Sequence, residues 1–326
     1  MKLIKGLWKT ICITLFILLL SIFLSACKTE AIFHPISTVN KDHQDEAHYI
    51  VFNDSLGNEV KLESKPERVV SLLGSFTDIW QLAGGTVIGA TNDVQERGII
   101  VPQDVTMVGT GHSPNLEIIL SLKPDFVILS ADYSNHLELF RIFKENNISV
   151  GLFSVELFSD YLTTLKTFTD ITSQSHLYES NGLNVKKRID DICQKVNVDK
   201  KPAILLIRAY SKGANAKGED DMTGNILKEL GTENIASQEN GLFQELSMEI
   251  IIDKDPDFIF VTVMGSDTEK ALDRLKKDVQ SNPAWNNLSA VKKDRYIVLP
   301  KELFHYKPNL RWDEAYEYLM EILYGE

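Results

Sequence analysis

Short apolar runs alternate with stretches of helical periodicity along most of the chain. In the first half, four such runs are bounded mostly by Gly, Pro, Asp or Asn, at residues 69–73, 87–90, 126–129 and 148–153. Apolar runs of this length with such flanks indicate strands. Residues 76–82 and 115–122 have helical spacing instead. The pattern predicts an α/β sheet, and two strand-like runs around a turn predict a β-hairpin at residues 49–62.

The second half repeats this plan. Its predicted strands are residues 203–207, 258–263 and 296–299, and its predicted helices are residues 225–230, 248–252, 268–279 and 312–323. Between the halves, residues 177–196 contain no proline and have apolar residues at helical spacing, which predicts a helix about 30 Å long. We therefore predict two α/β lobes, residues 48–172 and 199–326, joined by one long rigid helix within 173–198. A stiff connection predicts little closure of the lobes.

A local repeat supports two related lobes. Residues 115–117 (Asn-Leu-Glu) are followed after six residues by Pro-Asp and a buried strand, and residues 247–249 (Ser-Met-Glu) are followed in the same way. In both places a small or polar residue precedes a short helix with a glutamate in its first turn. The same unit therefore occurs once per lobe.

The N-terminus has the pattern of a targeting segment. Three lysines precede an apolar run at residues 11–24, and the run ends in Leu-Ser-Ala-Cys at 24–27. This resembles a bacterial lipoprotein signal, with residues 1–27 as signal peptide and Cys27 as the lipidated first residue of the mature chain. An uncleaved membrane anchor is the alternative. Residues 28–47 are polar and predict a flexible tether.

Composition and charge narrow the class of protein. The chain has 326 residues, 44% hydrophobic and 25% charged, which is ordinary for a globular protein. Its net charge of -12 argues against nucleic-acid binding, because no continuous basic surface is available. Outside the leader, the only cysteine is Cys193. An internal disulfide is therefore excluded, and we expect Cys193 to be a small buried residue.

Several short motifs in this order resemble one family, the iron-siderophore, haem and cobalamin solute-binding proteins of ABC importers. The resemblance covers roughly residues 50–323 and rests on residues 69–82, 113–117, 122–125, 246–249, 255–257, 282–285 and 290–292. It implies two Rossmann-like lobes bridged by one long helix, the helical-backbone type of periplasmic-binding-protein fold, with a ligand in the cleft between the lobes. It also implies a monomer, lipid-anchored on the extracytoplasmic face of a bacterial membrane, with no intrinsic cofactor.

The resemblance further implies a permease as partner. In this family a glutamate at the start of the repeated helix of each lobe contacts arginines of a dimeric permease, which works with ATPase subunits. The matching residues are Glu117 and Glu249. Charge complementarity would set the orientation of docking. The alternative is that each glutamate only complements its helix dipole.

Ligands of doubly wound sheets lie beyond the carboxyl ends of the strands, so the loops there hold the candidate binding residues. The candidates are Arg97, His112, Arg208, Tyr210, Phe243, His305, Tyr306 and Arg311. Arg208 follows a predicted buried strand, and an arginine there either binds the ligand or forms an internal ion pair. His112, His305, Tyr306 and Met264 are candidate axial ligands of a haem iron. The helical spacing of Trp80 with its apolar neighbours predicts that it is a core residue.

These candidate residues allow the possible ligand classes to be ranked. Arginines in an otherwise acidic protein favour an anionic ferric siderophore first and haem second. Cobalamin ranks third, because Asp93 and Gly111 stand where the cobalamin-binding members present aromatic residues.

A chelatase-like or metal-dependent enzyme is the alternative of another class. The chain has no phosphate-binding loop, nucleophile elbow, Cys-x-x-Cys pair or His-Glu-x-x-His helix, so we assign no catalytic residues. A zinc or manganese binder would need three or four converging ligands, and we assign no metal site.

Overall fold

The computed structural model describes residues 48–196, 201–238, 246–265 and 267–325. Cys27, the tether and Phe243 lie outside these residues. The elements of the first half, in chain order, are β1 Ile50–Asn53, β2 Glu59–Leu62, β3 Val69–Ser71, α1 Gly74–Leu82, β4 Gly89–Ala90, α2 Asp93–Glu96, β5 Thr106–Met107, β6 Gly109–Thr110, β7 Ser113–Pro114, α3 Leu116–Ser121, β8 Phe126–Ser130, α4 Ser134–Glu145, β9 Ser149–Phe153 and α5 Phe158–Thr172.

The first sheet is parallel throughout, in the order β5-β4-β3-β8-β9. Every residue of β8 is buried, because helices cover both faces of a parallel sheet. The hairpin predicted at 49–62 is confirmed as β1 paired antiparallel with β2. Its turn is held by Asp54, whose carboxylate accepts bonds from the Leu56 and Asn58 amides at 3.0 and 2.9 Å.

The second half continues with α6 Ser175–Tyr178, a π-helical turn Glu179–Leu183, α7 Asn184–Cys193, β10 Ala203–Tyr210, β11 Gly213–Ala216, α8 Met222–Glu229, β12 Glu233–Asn234, a 3-10 turn Ile235–Gln238, α9 Met248–Lys254, β13 Phe258–Val263, α10 Thr268–Leu275, a π-helical turn Lys276–Gln280, a 3-10 turn Pro283–Asn287, α11 Ser289–Lys292, β14 Tyr296–Val298, α12 Lys301–Phe304, a 3-10 turn Asn309–Arg311 and α13 Trp312–Tyr324. The second sheet has the order β11-β10-β13-β14, with β12 also beside β10. The β10–β11 pair is antiparallel, whereas the other pairs are parallel. The predicted α/β class is confirmed.

A helical segment from Ser175 to Cys193 connects the halves. Its π-helical turn contains Gly182, where an added Cβ would lie 3.1 Å from Leu162 and 3.2 Å from Leu165. Glycine therefore permits close packing on α5 at this turn. At the end of α7, Cys193 is half-buried, and burial raises the pKa of its thiol to about 11.

One apolar core crosses from the first sheet to the second. It includes Phe126 and Phe153 of the first sheet, Phe260 of the second, and Trp312 and Tyr316 of α13. On the surface, Arg188 of α7 forms an ion pair with Asp313 of α13. Since a shared core must be broken to separate the halves, we expect only small relative motion on ligand capture.

Several boundaries differ from those predicted. The strand predicted at 203–207 continues to Tyr210 and turns back as β11, because the polar Arg208 within it has a partner elsewhere in the fold. The helix predicted at 225–230 begins at Met222, since the Asp221 side chain caps it by accepting from the Thr223 amide at 3.1 Å. Helices α4 and α5 were not predicted. Trp80 is buried at 1% exposure, so its predicted core role is confirmed.

Among the residues that the structure describes, no helix combines the length and the apolar character that a membrane crossing needs.

Candidate functional site

A pocket of about 190 Å³ lies where the two halves meet. Most of its lining comes from the first half, at Leu73, Ser75, Phe76, Arg97, Ser130, Asp132, Tyr133 and Val155, and the rest is His305 and Lys307. The first-half residues follow the carboxyl ends of β3, β4, β8 and β9. This is where a parallel sheet presents loops to a ligand.

The stretch at 305–309 reaches the first half from the second. Asn309 is buried and donates its Nδ2 to the Ser75 carbonyl oxygen at 3.1 Å and to Asp78 Oδ2 at 2.7 Å. Its φ of 49° is left-handed, a conformation that asparagine tolerates better than most residues. Burial raises the pKa of Asp78, while the Asn309 bond and Arg97 oppose that shift. This contact fixes one wall of the pocket against the other.

Arg97 lies in the pocket wall, with 15% of its side chain exposed. Its guanidinium carbon lies 4.6 Å from the centroid of the Tyr306 ring, and its Nε lies 3.4 Å from Asp93 Oδ2. Burial lowers the pKa of Arg97, which the nearby Asp93 counteracts. Asp93 itself accepts bonds from the Gly74 amide at 2.9 Å and the Thr91 hydroxyl at 2.6 Å, so its position does not depend on the arginine.

Two buried guanidinium nitrogens have no hydrogen-bond partner within the described part of the chain. They are Nε of Arg97, from the first half, and Nε of Arg208, from the second. Arg208 uses its Nη2 to bind the buried carboxylate of Asp221. Buried donors are nearly always satisfied in native proteins, so both guanidinium groups keep hydrogen-bonding capacity that the described contacts leave unused.

His305 lies among cations. Burial, together with the charges of Lys301, Arg208, Arg97 and Lys307, lowers the pKa of His305 to about 4. The imidazole is therefore neutral near pH 7, which is the form that binds a metal ion. Arg97, from the first half, and Arg208, from the second, therefore both act electrostatically on His305.

The remaining predicted residues are placed around or away from this pocket. His112 is exposed and stacks on Tyr133, with 4.4 Å between ring centroids. Tyr210 pairs with Gly213 across the β10–β11 hairpin. Arg311 is exposed and donates its Nε to Glu314 at 2.9 Å, so the structure does not bring it to the pocket. Met264 is 42% exposed.

Sequence reasoning did not select Ser130, Asp132, Tyr133 or Lys307 as individual binding residues. The first three follow β8, so the rule that ligands lie beyond the carboxyl ends of parallel strands would have found them. Lys307 makes a contact with a residue 151 positions away in the sequence, and a contact of that kind has no local sequence signal.

A buried histidine supports the wall behind Tyr133. His136 Nδ1 accepts from the Ser130 amide at 2.9 Å, so its Nε2 carries the proton and donates to the Gly111 carbonyl oxygen at 2.8 Å. Burial lowers the pKa of His136, because it disfavours the charged imidazolium. Protonation of Nδ1 would also break its bond from the Ser130 amide. His136 thereby joins the loop at 111 to the end of β8.

His136 gives a pH-dependent prediction. Since its folded pKa lies below the unfolded value, its contribution to stability is present above about pH 6.5 and is lost as the pH falls below that value. In His136→Gln, the amide preserves both bonds without titrating. We expect the wild type to lose about 1 to 2 kcal/mol more unfolding free energy than this variant between pH 7 and 5, measured by urea denaturation. Equal losses in both proteins would contradict this role.

Glu117 and Glu249 occupy equivalent places. Each lies in the first turn of its helix, α3 or α9, and each is exposed. Both helices lead directly into a parallel strand, β8 or β13, so their N-termini lie at the carboxyl edges of the two sheets. The two carboxylates therefore lie towards the carboxyl edges of the sheets, the edges from which the pocket loops also extend.

Among the described residues, no group of three or more His, Cys, Asp or Glu side chains converges in a way that would hold a metal ion.

Comparison with known proteins gives three consistent likenesses. The model of a family described as periplasmic binding protein matches residues 69–303. The Fe(3+)-citrate-binding protein YfmC of Bacillus subtilis is 30% identical over 249 residues, 74% of this chain and 75% of that protein. The putative ABC transporter substrate-binding lipoprotein YhfQ of the same organism is 25% identical, covering 86% of this chain and 87% of that one.

A solved structure shows the same fold. The structure of Staphylococcus aureus IsdE complexed with heme superposes with a TM-score of 0.65 at 19% identity, over 79% of this chain and 98% of that one.

Proposed function

The chain belongs to the periplasmic binding protein family, and on that premise we propose that it is the substrate-binding protein of an ABC importer, which captures a ferric chelate of the siderophore type. Members of this family bind and deliver solutes and are not enzymes. The mature protein would be a monomer, anchored through Cys27 on the extracytoplasmic face of a bacterial membrane. The similarity to YhfQ, named as a lipoprotein, supports this location.

The observation that carries the proposal is the pair of guanidinium groups with an unsatisfied buried nitrogen, one from each half. Arg97 lines the pocket, and Arg208 acts electrostatically on His305, which also lines it. Iron chelates present carboxylate, hydroxamate or catecholate oxygens around the metal, and guanidinium groups donate well to such oxygens. Tyr133, Phe76 and Tyr306 add aromatic surface to the same site. Similarity to a protein named for ferric citrate supports an iron chelate as the ligand.

The pocket is smaller than the typical ligand site of about 300 to 1,000 Å³. A siderophore would therefore place only part of its surface there, with the rest along the open cleft. In this proposal Arg97 and Arg208 hold the chelate from opposite halves, and His112 extends the Tyr133 surface at the rim.

Thermal unfolding with candidate ligands tests the proposal. A ligand present at 100 times its Kd should stabilise the fold by about 2.7 kcal/mol. We expect that stabilisation with at least one ferric siderophore, and not with the same siderophore free of iron. Cobalamin, the ligand class that ranks third, is tested for comparison. No stabilisation by any ferric chelate would contradict the proposal.

Haem is a second candidate, favoured by one observation. The neutral imidazole of His305 in the pocket suits axial ligation of an iron, and Tyr306 lies beside it at 5.1 Å between ring centroids. A visible absorption spectrum with haemin distinguishes this case, because axial ligation shifts the Soret band. His305→Ala should abolish the shift if His305 is the ligand, and His176→Ala, which removes an exposed histidine of α6, is the matched control.

A further inference from the structure

Three cations in or near the pocket each have a carboxylate partner within the protein: Arg97 and Lys307 line it, and Arg208 acts electrostatically on His305 in its wall. Arg97 pairs with Asp93, Arg208 with Asp221 and Lys307 with Glu156. Two of these carboxylates are held by further bonds. Asp93 accepts from the Gly74 amide and the Thr91 hydroxyl, and Asp221 is buried and caps α8.

The third pair is built differently and crosses between the halves. Glu156 precedes α5 in the first half, and its Oε2 lies 2.6 Å from Lys307 Nζ. Its Oε1 accepts weakly, at 3.3 Å, from the amide of Met222, the first residue of α8. The backbone of Glu156 is fixed because its amide donates to Asp160 at 3.0 Å. Its side chain, however, is 45% exposed, so solvent or a ligand can replace its contacts.

Lys307 itself lines the pocket and is only 22% exposed. The Glu156 carboxylate therefore occupies the position beside Lys307 Nζ that a negatively charged ligand group would need. A ligand without excess negative charge can bind while this pair remains intact. An anionic ligand must either displace Glu156 or bind near its uncompensated charge.

We propose that Glu156 is an exchangeable counter-ion of Lys307 and sets the charge preference of the cleft. With Glu156 in place, chelates of little net charge are favoured over strongly anionic ones. This inference rests on the proposed function and names the residue that determines specificity within it. It also changes the expectation drawn from the arginines alone, since the cations of the cleft are already largely neutralised.

The test uses detergent-solubilised full-length protein and two probes of different charge. Ferric citrate is anionic, and the ferric trihydroxamate ferrichrome is neutral. In Glu156→Gln the single amide oxygen can still accept from Lys307, and only the weak 3.3 Å bond from the Met222 amide is given up, so we expect the local fold to be preserved. We expect the Kd for ferric citrate to fall about tenfold and the Kd for ferrichrome to change less than twofold. The gain should shrink in high salt, because screening weakens interactions of partly exposed charges.

A matched control separates this local effect from net charge. Glu138→Gln removes the same charge from an exposed position on α4, and we expect it to change neither Kd. In a Lys307→Met background, Glu156→Gln should no longer improve ferric citrate binding. If Glu156→Gln fails to fold, Glu156→Asp, which draws the carboxylate away from Lys307, should shift citrate affinity in the same direction.

The outcomes distinguish the inference from the proposed function. Unchanged citrate affinity in Glu156→Gln, an equal gain for both probes, or a gain that persists without Lys307 would overturn the role of Glu156 and leave the transport function standing. If the wild-type protein binds no ferric chelate at all, the proposed function is overturned and this inference with it.

Discussion

Replacing Arg208 by methionine is expected to lower the unfolding free energy by about 3 kcal/mol, because it leaves a buried carboxylate without its cation. Asp221 is 4% exposed, and burial already raises its pKa against the influence of Arg208. Without the arginine, Asp221 must stay charged in the interior or take up a proton. The loss, measured by urea denaturation, should therefore be smaller at acidic pH than at pH 7.

The double variant Arg208→Met with Asp221→Asn separates structure from ligand binding. Asparagine caps a helix about as well as aspartate, so the bond to the Thr223 amide is kept while the unpaired charge is removed. We expect most of the stability to return. Affinity for the ferric chelate should remain at least tenfold reduced in both variants, because the proposed bond from the Arg208 guanidinium to the ligand is lost. Wild-type affinity in the double variant would make Arg208 a structural residue only.

Arg208 also illustrates what the sequence could predict. Its strand was recognised from an apolar run, but was ended at Ile207 because a charged residue does not fit a buried strand. The structure continues it to Tyr210, since Asp221 compensates the charge from 13 residues away. The spacing of apolar residues indicates which positions are buried, but it does not indicate which polar residue has a partner in the fold. The strands formed by apolar runs and the hairpin at 49–62 were therefore predictable, whereas the short strands β5 and β12 and the β10–β11 hairpin were not.

The candidate site, like the fold, is predictable from the sequence only in part. Arg97 and His305 could be selected because they follow strands or lie in a segment rich in binding-type side chains. The contact between Glu156 and Lys307 depends on how the halves pack, so no local pattern predicts it. His136 did have a local signal: with Leu139 and Phe143 it occupies the buried positions of α4, at helical spacing. A histidine at such a position is a candidate for a fully bonded neutral imidazole.

We further propose that Glu117 and Glu249 dock the protein onto its permease, and the test of this proposal has the largest expected effect. Glu117 and Glu249 are exposed, lie in equivalent first turns and stand at the carboxyl edges of the two sheets. A dimeric permease presents the same site twice, and two equivalent carboxylates, one per half, match that arrangement. A glutamate that only complements its helix dipole contributes about 0.3 to 1 kcal/mol to stability and has no reason to affect transport.

Reversal of both charges, Glu117→Lys with Glu249→Lys, is expected to abolish uptake of the ferric chelate by cells while the Kd of the isolated protein stays within twofold of wild type. Repulsion from permease arginines would replace attraction at both contacts, and either single reversal should leave partial uptake. The measurement is uptake of ⁵⁵Fe-labelled chelate, with the Kd determined in parallel. Glu138→Lys with Glu321→Lys, one exposed helical acid in each half, is the matched control and should transport normally. Normal uptake in the Glu117 and Glu249 double variant would show that these residues serve their helices and not the permease.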